Sequence, residues 1–266
     1  MADLLEPGTG ADTGSVPTTA ITLDHRGRLL RGWEYGGVRP GAPAVLLVHG
    51  FGDTDTGARQ LFVQTARVLA ERGVGVRSYS RLGHGVSDGD FARITIGDEV
   101  AQVTAMVQQL AADAGAPVHV VAHSLGAVES AMAAAGVPDL VRSLTLWSPA
   151  GVVIDDITVH DAIMGQPIAP VRQRGWFDFG GTALGPAFID EVQAGLDPYG
   201  VAVGYRGPAM VVHGTADTIV PVEYGQRYGE LLPGATFVSV QGADHGWSSV
   251  PLRQDLLRRL LAFTGL

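Results

Sequence analysis

From Ala44 onward, short runs of branched apolar residues alternate with longer stretches whose apolar residues recur at helical spacing. Unbroken apolar runs are typical of strands buried on both faces, and helices between successive strands are typical of a parallel sheet. The pattern therefore predicts an α/β fold in which helices cover both faces of a mostly parallel sheet. The predicted strands are Ala44–Val48, Val74–Ser78, Val118–Val121, Ser143–Trp147, Ala209–Val212 and Thr236–Val240. The predicted helices are Ala58–Glu71, Gly97–Ala114, Leu125–Ala135, Val222–Leu231 and Leu252–Phe263.

Two segments depart from this alternation. Residues 1–18 are rich in Gly, Thr, Asp and Pro and lack periodicity, which predicts a flexible N-terminal tail. Residues 149–206 form a stretch too long for a crossover loop, and their scattered Gly, Pro and aromatic residues predict a cap inserted over the sheet. The core then comprises residues 19–148 and 207–266, and it begins with a predicted hairpin of Ala20–Leu23 and Leu29–Tyr35.

Composition excludes several classes of function. The 266 residues fit one large domain, and the net charge of −9 without any basic run argues against nucleic acid or an anionic membrane as a partner. The absence of cysteine excludes disulfides, thiolate zinc sites and cysteine nucleophiles. The N-terminus does not resemble a secretory signal and no apolar run approaches a membrane span, so we expect a cytoplasmic protein.

The segment Val118–Ala127 predicts a buried strand that ends in a tight turn and opens a helix of small residues. Its centre, Ala122-His-Ser-Leu-Gly126, resembles the Gly-x-Ser-x-Gly nucleophile elbow, in which small residues let strand and helix approach closely while the serine is exposed. Alanine in the first place is still small, so we expect a strained elbow. Ser124 is therefore the predicted nucleophile, and the alternative is that it only caps the helix.

A serine nucleophile needs a base, and the base needs an orienting acid, here expected in the chain order Ser, acid, His. Asp217 follows one predicted strand and His245 follows the next, both on the sheet edge where ligands of open α/β sheets bind. Asp244 is the competing acid, but as the neighbour of His245 it is expected to project away from the ring. Four other histidines, which precede the nucleophile or a glycine, are interpreted as structural and do not suggest a metal site: His49, His84, His123 and His213.

Backbone N–H groups must stabilise the oxyanion that forms during acyl transfer. Leu125, directly after the nucleophile, is expected to supply one, and Phe51 in the turn after Ala44–Val48 is expected to supply the other. The Gly50-x-Gly52 pair in that turn lacks the remaining elements of a dinucleotide site.

Aromatic residues predict an apolar acyl pocket. The insert contributes three of them and the fourth follows His245 by two positions: Trp176, Phe177, Phe179 and Trp247. The alternative is that these side chains anchor the cap to the sheet. Basic residues in the insert are few, with Arg172 and Arg174 close to Trp176, so strongly anionic substrates such as coenzyme A esters are less favoured.

Five segments in this order resemble the α/β-hydrolase superfamily over about residues 20–266: His49-Gly-Phe51, Gly83–Gly89, Ala122–Gly126, Gly214–Asp217 and Gly242–His245. Ser87–Phe91, Thr95–Val100 and Phe179-Gly-Gly181 further resemble the bacterial feruloyl/cinnamoyl esterase-like serine hydrolases. That resemblance implies an α/β-hydrolase fold with a small inserted cap, a Ser-His-Asp triad of Ser124, His245 and Asp217, no cofactor, and carboxylic esters, often of aryl acids, as substrates.

Three departures limit the resemblance. Ala122 replaces the usual glycine, and Ser80-Arg-Leu82 stands where the family has Asp-x-Arg, so the network around that turn must be rewired. Residues 151–175 match no substrate-binding pattern.

The leading hypothesis is a serine hydrolase of small esters or thioesters that forms an acyl-enzyme. A second is an acyltransferase or cyclase that passes the acyl group to another nucleophile, which depends on how well the cap excludes water. A binding protein without turnover and a cofactor-free lyase are further alternatives. Haloalkane dehalogenases and epoxide hydrolases require Asp where this chain has Ser124.

Overall fold

The computed structural model describes residues 15–266. Its strands are β1 (Thr18–His25), β2 (Arg28–Tyr35), β3 (Ala44–Val48), β4 (Gly75–Ser80), β5 (Val118–His123), β6 (Val141–Trp147), β7 (Ala162–Ile163), β8 (Gln166–Pro167), β9 (Phe177–Phe179), β10 (Thr182–Leu184), β11 (Ala209–Gly214) and β12 (Thr236–Val240). Its α-helices are α1 (Leu61–Ala70), α2 (Ile96–Ala114), α3 (Leu125–Gly136), α4 (Val152–Thr158), α5 (Val171–Arg174), α6 (Pro186–Gln193), α7 (Pro198–Ala202), α8 (Val222–Leu231) and α9 (Val250–Thr264).

Within this described part of the chain, the central sheet has eight strands in the order β1-β2-β4-β3-β5-β6-β11-β12. The hairpin β1–β2 is antiparallel, β2 pairs antiparallel with β4, and every pair from β4 to β12 is parallel. Sequential strands joined through helices in this way form an α/β-hydrolase sheet, which confirms the predicted fold class.

Side chains of the central strands alternate between two cores, one on each face of the sheet. In β3, Leu46 and Val48 pack with residues of α2 and α3, whereas Val45 and Leu47 pack with residues of α1 and α9. Every residue of β3 is buried, which is why the strand reads as an unbroken apolar run in the sequence. Helices therefore cover both faces, as predicted.

The bounds of β3, β12 and α8 are those predicted from the sequence, and the other core strands and helices differ by a few residues at their ends. The largest helical difference is in α1, which begins at Leu61 because Arg59 and Gln60 have positive φ angles of 48° and 64°. The predicted tail of residues 1–18 lies largely outside the described residues, and Thr18 already belongs to β1.

Residues 149–206 form the insert between β6 and β11, and it contains α4 to α7 and the hairpins β7–β8 and β9–β10. Helix α7 packs against α3, and α6 packs against α4 and the 3₁₀ turn Phe91–Arg93. Side chains of the insert line a cavity together with Ser124, so the insert lies over the carboxyl ends of the central strands. None of the helices within residues 15–266 is both long enough and apolar enough to cross a membrane.

Candidate active site

Ser124 lies in a sharp turn between β5 and α3, with φ 58° and ψ −127°. Non-glycine residues rarely adopt this backbone conformation, so the expected strained elbow is present. The absence of a side chain at Gly126 lets α3 pack closely against the turn that contains His49. A Cβ at this position would overlap the carbonyl oxygen of His49. The fully buried Ala122 occupies the other small position of the elbow.

The structure brings Ser124, His245 and Asp217 together from three separate turns. His245 Nε2 lies 2.9 Å from Ser124 Oγ, and His245 Nδ1 lies 2.7 Å from Asp217 Oδ2. Because an ionised carboxylate can only accept, Nδ1 carries the ring proton and Nε2 is free to accept the serine proton. The arrangement can therefore activate the serine hydroxyl as a nucleophile.

Asp217 is held by several donors. Its Oδ1 accepts from the backbone N–H groups of Ile219 (3.0 Å) and Val220 (2.8 Å), and His213 Nε2 lies 3.2 Å from Oδ2. Burial alone would raise the pKa of Asp217, but the hydrogen bonds from His213 and His245 outweigh it and hold the pKa well below its usual value. Asp244 instead accepts from the backbone N–H of Ser248 at 2.7 Å and so caps its own loop.

His123 supports the loop that carries the imidazole. Its Nε2 donates to the carbonyl oxygen of His245 at 2.8 Å. Burial, followed by the nearby charge of His245, lowers the pKa of His123 to about 3, so its ring is neutral at physiological pH. Its contact therefore positions the backbone of His245 rather than exchanging protons with substrate.

The two predicted oxyanion donors flank Ser124. Leu125 is the first residue of α3, where backbone N–H groups precede the first intrahelical bond. Phe51 lies in the turn after β3, and a Cβ on the preceding Gly50 would lie 2.8 Å from Ser124 Cβ. This turn therefore passes directly beside the nucleophile, and both Phe51 and Leu125 line the cavity there.

That cavity has a volume of about 170 Å³ and opens on Ser124 and His245. Its wall is apolar apart from one carboxylate. The other lining residues are Phe51, Leu125, Ala150, Val152, Val153, Asp156, Ile163, Met164, Phe179, Ile219 and Val220.

Of the four aromatic residues predicted to form the pocket, Phe179 lines this cavity and the other three lie elsewhere. Trp247 is fully buried in the core on the α1 and α9 face, and its φ of 52° is consistent with a tight turn directing it there. Phe177 is buried in the opposite core. Trp176 lies at the surface, where the Arg174 guanidinium stacks 4.0 Å from its ring centre. The expectation was wrong for these three because their rings are engaged in core packing or in a cation–π contact instead.

Aliphatic residues that the sequence reasoning did not single out supply most of the wall. Val152 and Val153 open α4 after the turn that follows β6, and Ile219 and Val220 follow Asp217 within the same turn. A signal was present, because apolar pairs in turns at the carboxyl ends of parallel strands face the ligand-binding edge.

Comparison with solved structures finds proteins of similar fold. Est1E from Butyrivibrio proteoclasticus, in a structure with ferulic acid bound, is 22% identical with a TM-score of 0.82, covering 93% of this chain and 100% of that one. Mouse alpha/beta hydrolase domain-containing protein 10 is 17% identical with a TM-score of 0.74, covering 93% of this chain and 98% of that one. The alpha/beta hydrolase GrgF from Penicillium sp. sh18 gives the same identity, TM-score and coverage.

At these identities the likeness concerns the fold, and no curated protein sequence matches the chain. Residues 45–258, however, match the alpha/beta hydrolase family over most of the chain length. The chain belongs to the alpha/beta hydrolase family.

Proposed function

We propose that this protein is a serine hydrolase that cleaves small carboxylic esters or thioesters through an acyl-enzyme. The observation that carries the proposal is the hydrogen-bonded series Ser124, His245 and Asp217 at the end of an apolar cavity. A solely structural serine would not require an aligned imidazole and a carboxylate held ionised behind it.

In the proposed reaction, Ser124 Oγ attacks the ester carbonyl while His245 Nε2 takes its proton. Collapse of the tetrahedral intermediate breaks the ester C–O bond, and His245 returns the proton to the leaving alcohol. Water then attacks the acyl-enzyme with His245 again as base and releases the acid and Ser124. Asp217 orients the imidazole and stabilises its charged form, and the N–H groups of Phe51 and Leu125 stabilise the oxyanion.

The cavity favours a compact, uncharged acyl group. A dry cavity of about 150 Å³ accommodates one benzene ring, so about 170 Å³ suits a single ring or a short branched chain. The Asp156 carboxylate at the wall disfavours an anionic acyl group. Est1E, which has a similar fold, binds ferulic acid, an aryl carboxylic acid. This also supports aryl-acyl esters as substrates.

A fluorophosphonate probe tests the nucleophile directly. The wild-type protein should gain one covalent adduct on the peptide that contains Ser124, and Ser124→Ala should remain unlabelled. Ser130 is a buried serine in α3, and Ser130→Ala should label like the wild type. Undiminished labelling of Ser124→Ala would contradict the proposal.

Substrate and outcome are tested with a panel of acetyl, branched-acyl and aryl-acyl esters, with and without added alcohols and amines. Free acid as the product supports hydrolysis. Mass-spectrometric detection of mainly the transferred acyl group would instead identify an acyltransferase.

A further inference from the structure

Arg81 is fully buried beneath the turn that carries Phe51, in the segment where Ser80-Arg-Leu82 departs from the family pattern. Its Nη1 donates to the carbonyl oxygen of His49 at 2.7 Å, and its Nη2 donates to that of Gly50 at 3.3 Å. The backbone N–H of Arg81 also donates to His49 Nε2 at 3.0 Å. A single residue thus contacts the His49–Gly50 peptide unit and the Gly50–Phe51 unit, which contains the Phe51 N–H.

We propose that Arg81, together with His49, is a positioning residue that fixes the Gly50–Phe51 peptide so that the Phe51 N–H faces the oxyanion. The proposal rests on the serine hydrolase function proposed above.

The direction of this N–H follows from the geometry of its peptide unit. The unit is trans, so its C=O and N–H groups point in opposite directions. The Gly50 oxygen faces the buried side, where Arg81 Nη2 and His49 Nδ1 lie at 3.3 Å and 2.8 Å. Gly50 itself borders Ser124 on the other side. Holding the oxygen inward therefore keeps the Phe51 N–H directed outward, toward the site.

The tautomer of His49 makes it a second donor to the same oxygen. Because Arg81 N–H donates to His49 Nε2, that nitrogen must carry a lone pair, and the proton of the neutral ring lies on Nδ1. Nδ1–H then donates to the Gly50 oxygen. Burial, reinforced by the charge of Arg81, lowers the pKa of His49 well below its usual value and keeps the ring neutral.

Two carboxyl groups anchor the guanidinium. Glu99 of α2 accepts from Arg81 Nε at 2.7 Å, and Glu129 of α3 lies 3.3 Å from Nη2. Burial raises the pKa of Glu129. Burial also acts to raise the pKa of Glu99, but the charges of Arg81 and His84 and the hydrogen bonds to Glu99 together outweigh it and lower that pKa. The guanidinium thus favours ionisation of Glu99, whereas burial favours the protonated form of Glu129.

This anchor also joins the two halves of the oxyanion site. Glu129 belongs to the helix whose first N–H is that of Leu125, and Arg81 contacts the turn that carries Phe51. A displacement of either element relative to the other would therefore disturb contacts to the same guanidinium. Burying three ionisable groups costs stability unless the geometry is well satisfied, which fits a network that serves orientation.

Arg81→Lys tests the proposal because it retains the charge but cannot reach both carbonyl oxygens and both carboxyl groups at once. We expect kcat for an aryl-acyl ester to fall about 10- to 100-fold with KM changed less than about 3-fold, since the lost interaction acts in the transition state. Affinity for phenylboronic acid, which forms a tetrahedral adduct with a nucleophilic serine, should fall in parallel.

Arg77→Lys is the matched control. Arg77 lies in β4 and donates to Glu34 and Asp113 at 2.7 Å and 2.6 Å. Its replacement by lysine therefore disrupts a comparable network of carboxylates without affecting the turn that carries Phe51. Its kcat and boronic acid affinity should match those of the wild type.

His49→Phe is a second variant, since it keeps a ring but removes one donor to the Gly50 oxygen. It should lower kcat by a smaller factor than Arg81→Lys, again with little change in KM. Wild-type kcat and boronic acid affinity in folded Arg81→Lys would overturn the assignment, and so would loss of the folded state in both variants, because the network would then serve stability alone. Failure of the wild type to label at Ser124 would refute the proposed function instead.

Discussion

Backbone N–H groups of Ile219 and Val220 and the rings of His213 and His245 converge on the carboxylate of Asp217. Replacing it by asparagine preserves the shape but presents an N–H where His245 donates, which favours the wrong imidazole tautomer. We expect Asp217→Asn to reduce kcat for an ester by up to about 10⁴-fold.

Asp244→Asn provides the comparison, because Asp244 contacts the backbone of Ser248 rather than the ring of His245. It should change kcat by less than about 3-fold, since it leaves the His245–Asp217 contact intact. Steady-state kinetics of both variants with one ester would show a reversed order of losses if the acid were misassigned.

Phe179 is the aromatic residue of the insert whose ring can contact an acyl group. It lines the cavity and packs 4.5 Å from the ring centre of Phe51. Phe179→Ala should raise KM for aryl-acyl esters more than for acetyl esters, because the larger group loses more apolar contact. Trp176→Ala, which removes a surface ring stacked on Arg174, should leave the ratio of the two KM values unchanged. An unchanged ratio in Phe179→Ala would place the acyl group elsewhere.

The sequence was sufficient to predict that Ser124, Asp217 and His245 lie at one edge of the sheet. The turns that follow parallel strands all lie at that edge. The sequence could not assign Trp247, since the direction of its side chain depends on a positive φ within the turn and on space beside α9. The role of Arg81 was equally hidden, because its partners Glu99 and Glu129 come from two different helices. A charged residue at a position that the helical period places on the buried face nevertheless indicates such a network.

Helix α3 has a glycine near each end, and close packing requires only the one near its start. A Cβ on Gly126 would overlap the His49 carbonyl oxygen, whereas a Cβ on Gly136 would meet open space. Gly126→Ala should lower the free energy of unfolding by about 1–3 kcal/mol through overpacking and reduce kcat by displacing the turn that carries Phe51. Gly136→Ala should be neutral or stabilising by up to about 1 kcal/mol.

Urea unfolding and ester kinetics of the two alanine variants would measure both effects. Equal stability and equal kcat in the two proteins would mean that α3 can shift away from the turn at no cost.

The core elements were predictable because each is long enough to show a clear period. Strand β3 is buried throughout, and α2 places Val103, Met106 and Leu110 at helical spacing on its buried face. The insert was recognisable only as a long interruption. Its strands are two or three residues long, so tertiary contacts such as those of β10 with Phe91–Arg93 and of β7 with α4, not local periodicity, define them.

Across the whole molecule, several histidines are buried in neutral form. Burial is the largest cause in each case, and it lowers the pKa of His119 to about 4 and that of His123 to about 3, with downward shifts also for His49 and His84. Glu129 has the opposite shift, because burial raises its pKa above the usual 4.5. Burial also raises the pKa of the Asp53 carboxyl group, so the four histidines outnumber these two carboxyl groups.

These shifts predict a fold that loses stability as pH falls below about 6.5, the usual histidine pKa. In that range the unfolded chain takes up protons on histidines that the folded chain keeps neutral, so the unfolding free energy falls by up to about 1.4 kcal/mol per pH unit for each one. Glu129 opposes the trend, because the folded chain alone retains its proton above pH 4.5. His119→Gln removes one titrating ring remote from Ser124, where His119 contacts Ser143 Oγ at 2.7 Å. Urea unfolding between pH 7.5 and 5 should show a steep decline in the wild type and a shallower one in His119→Gln, whereas parallel slopes would show that His119 is protonated in the folded protein.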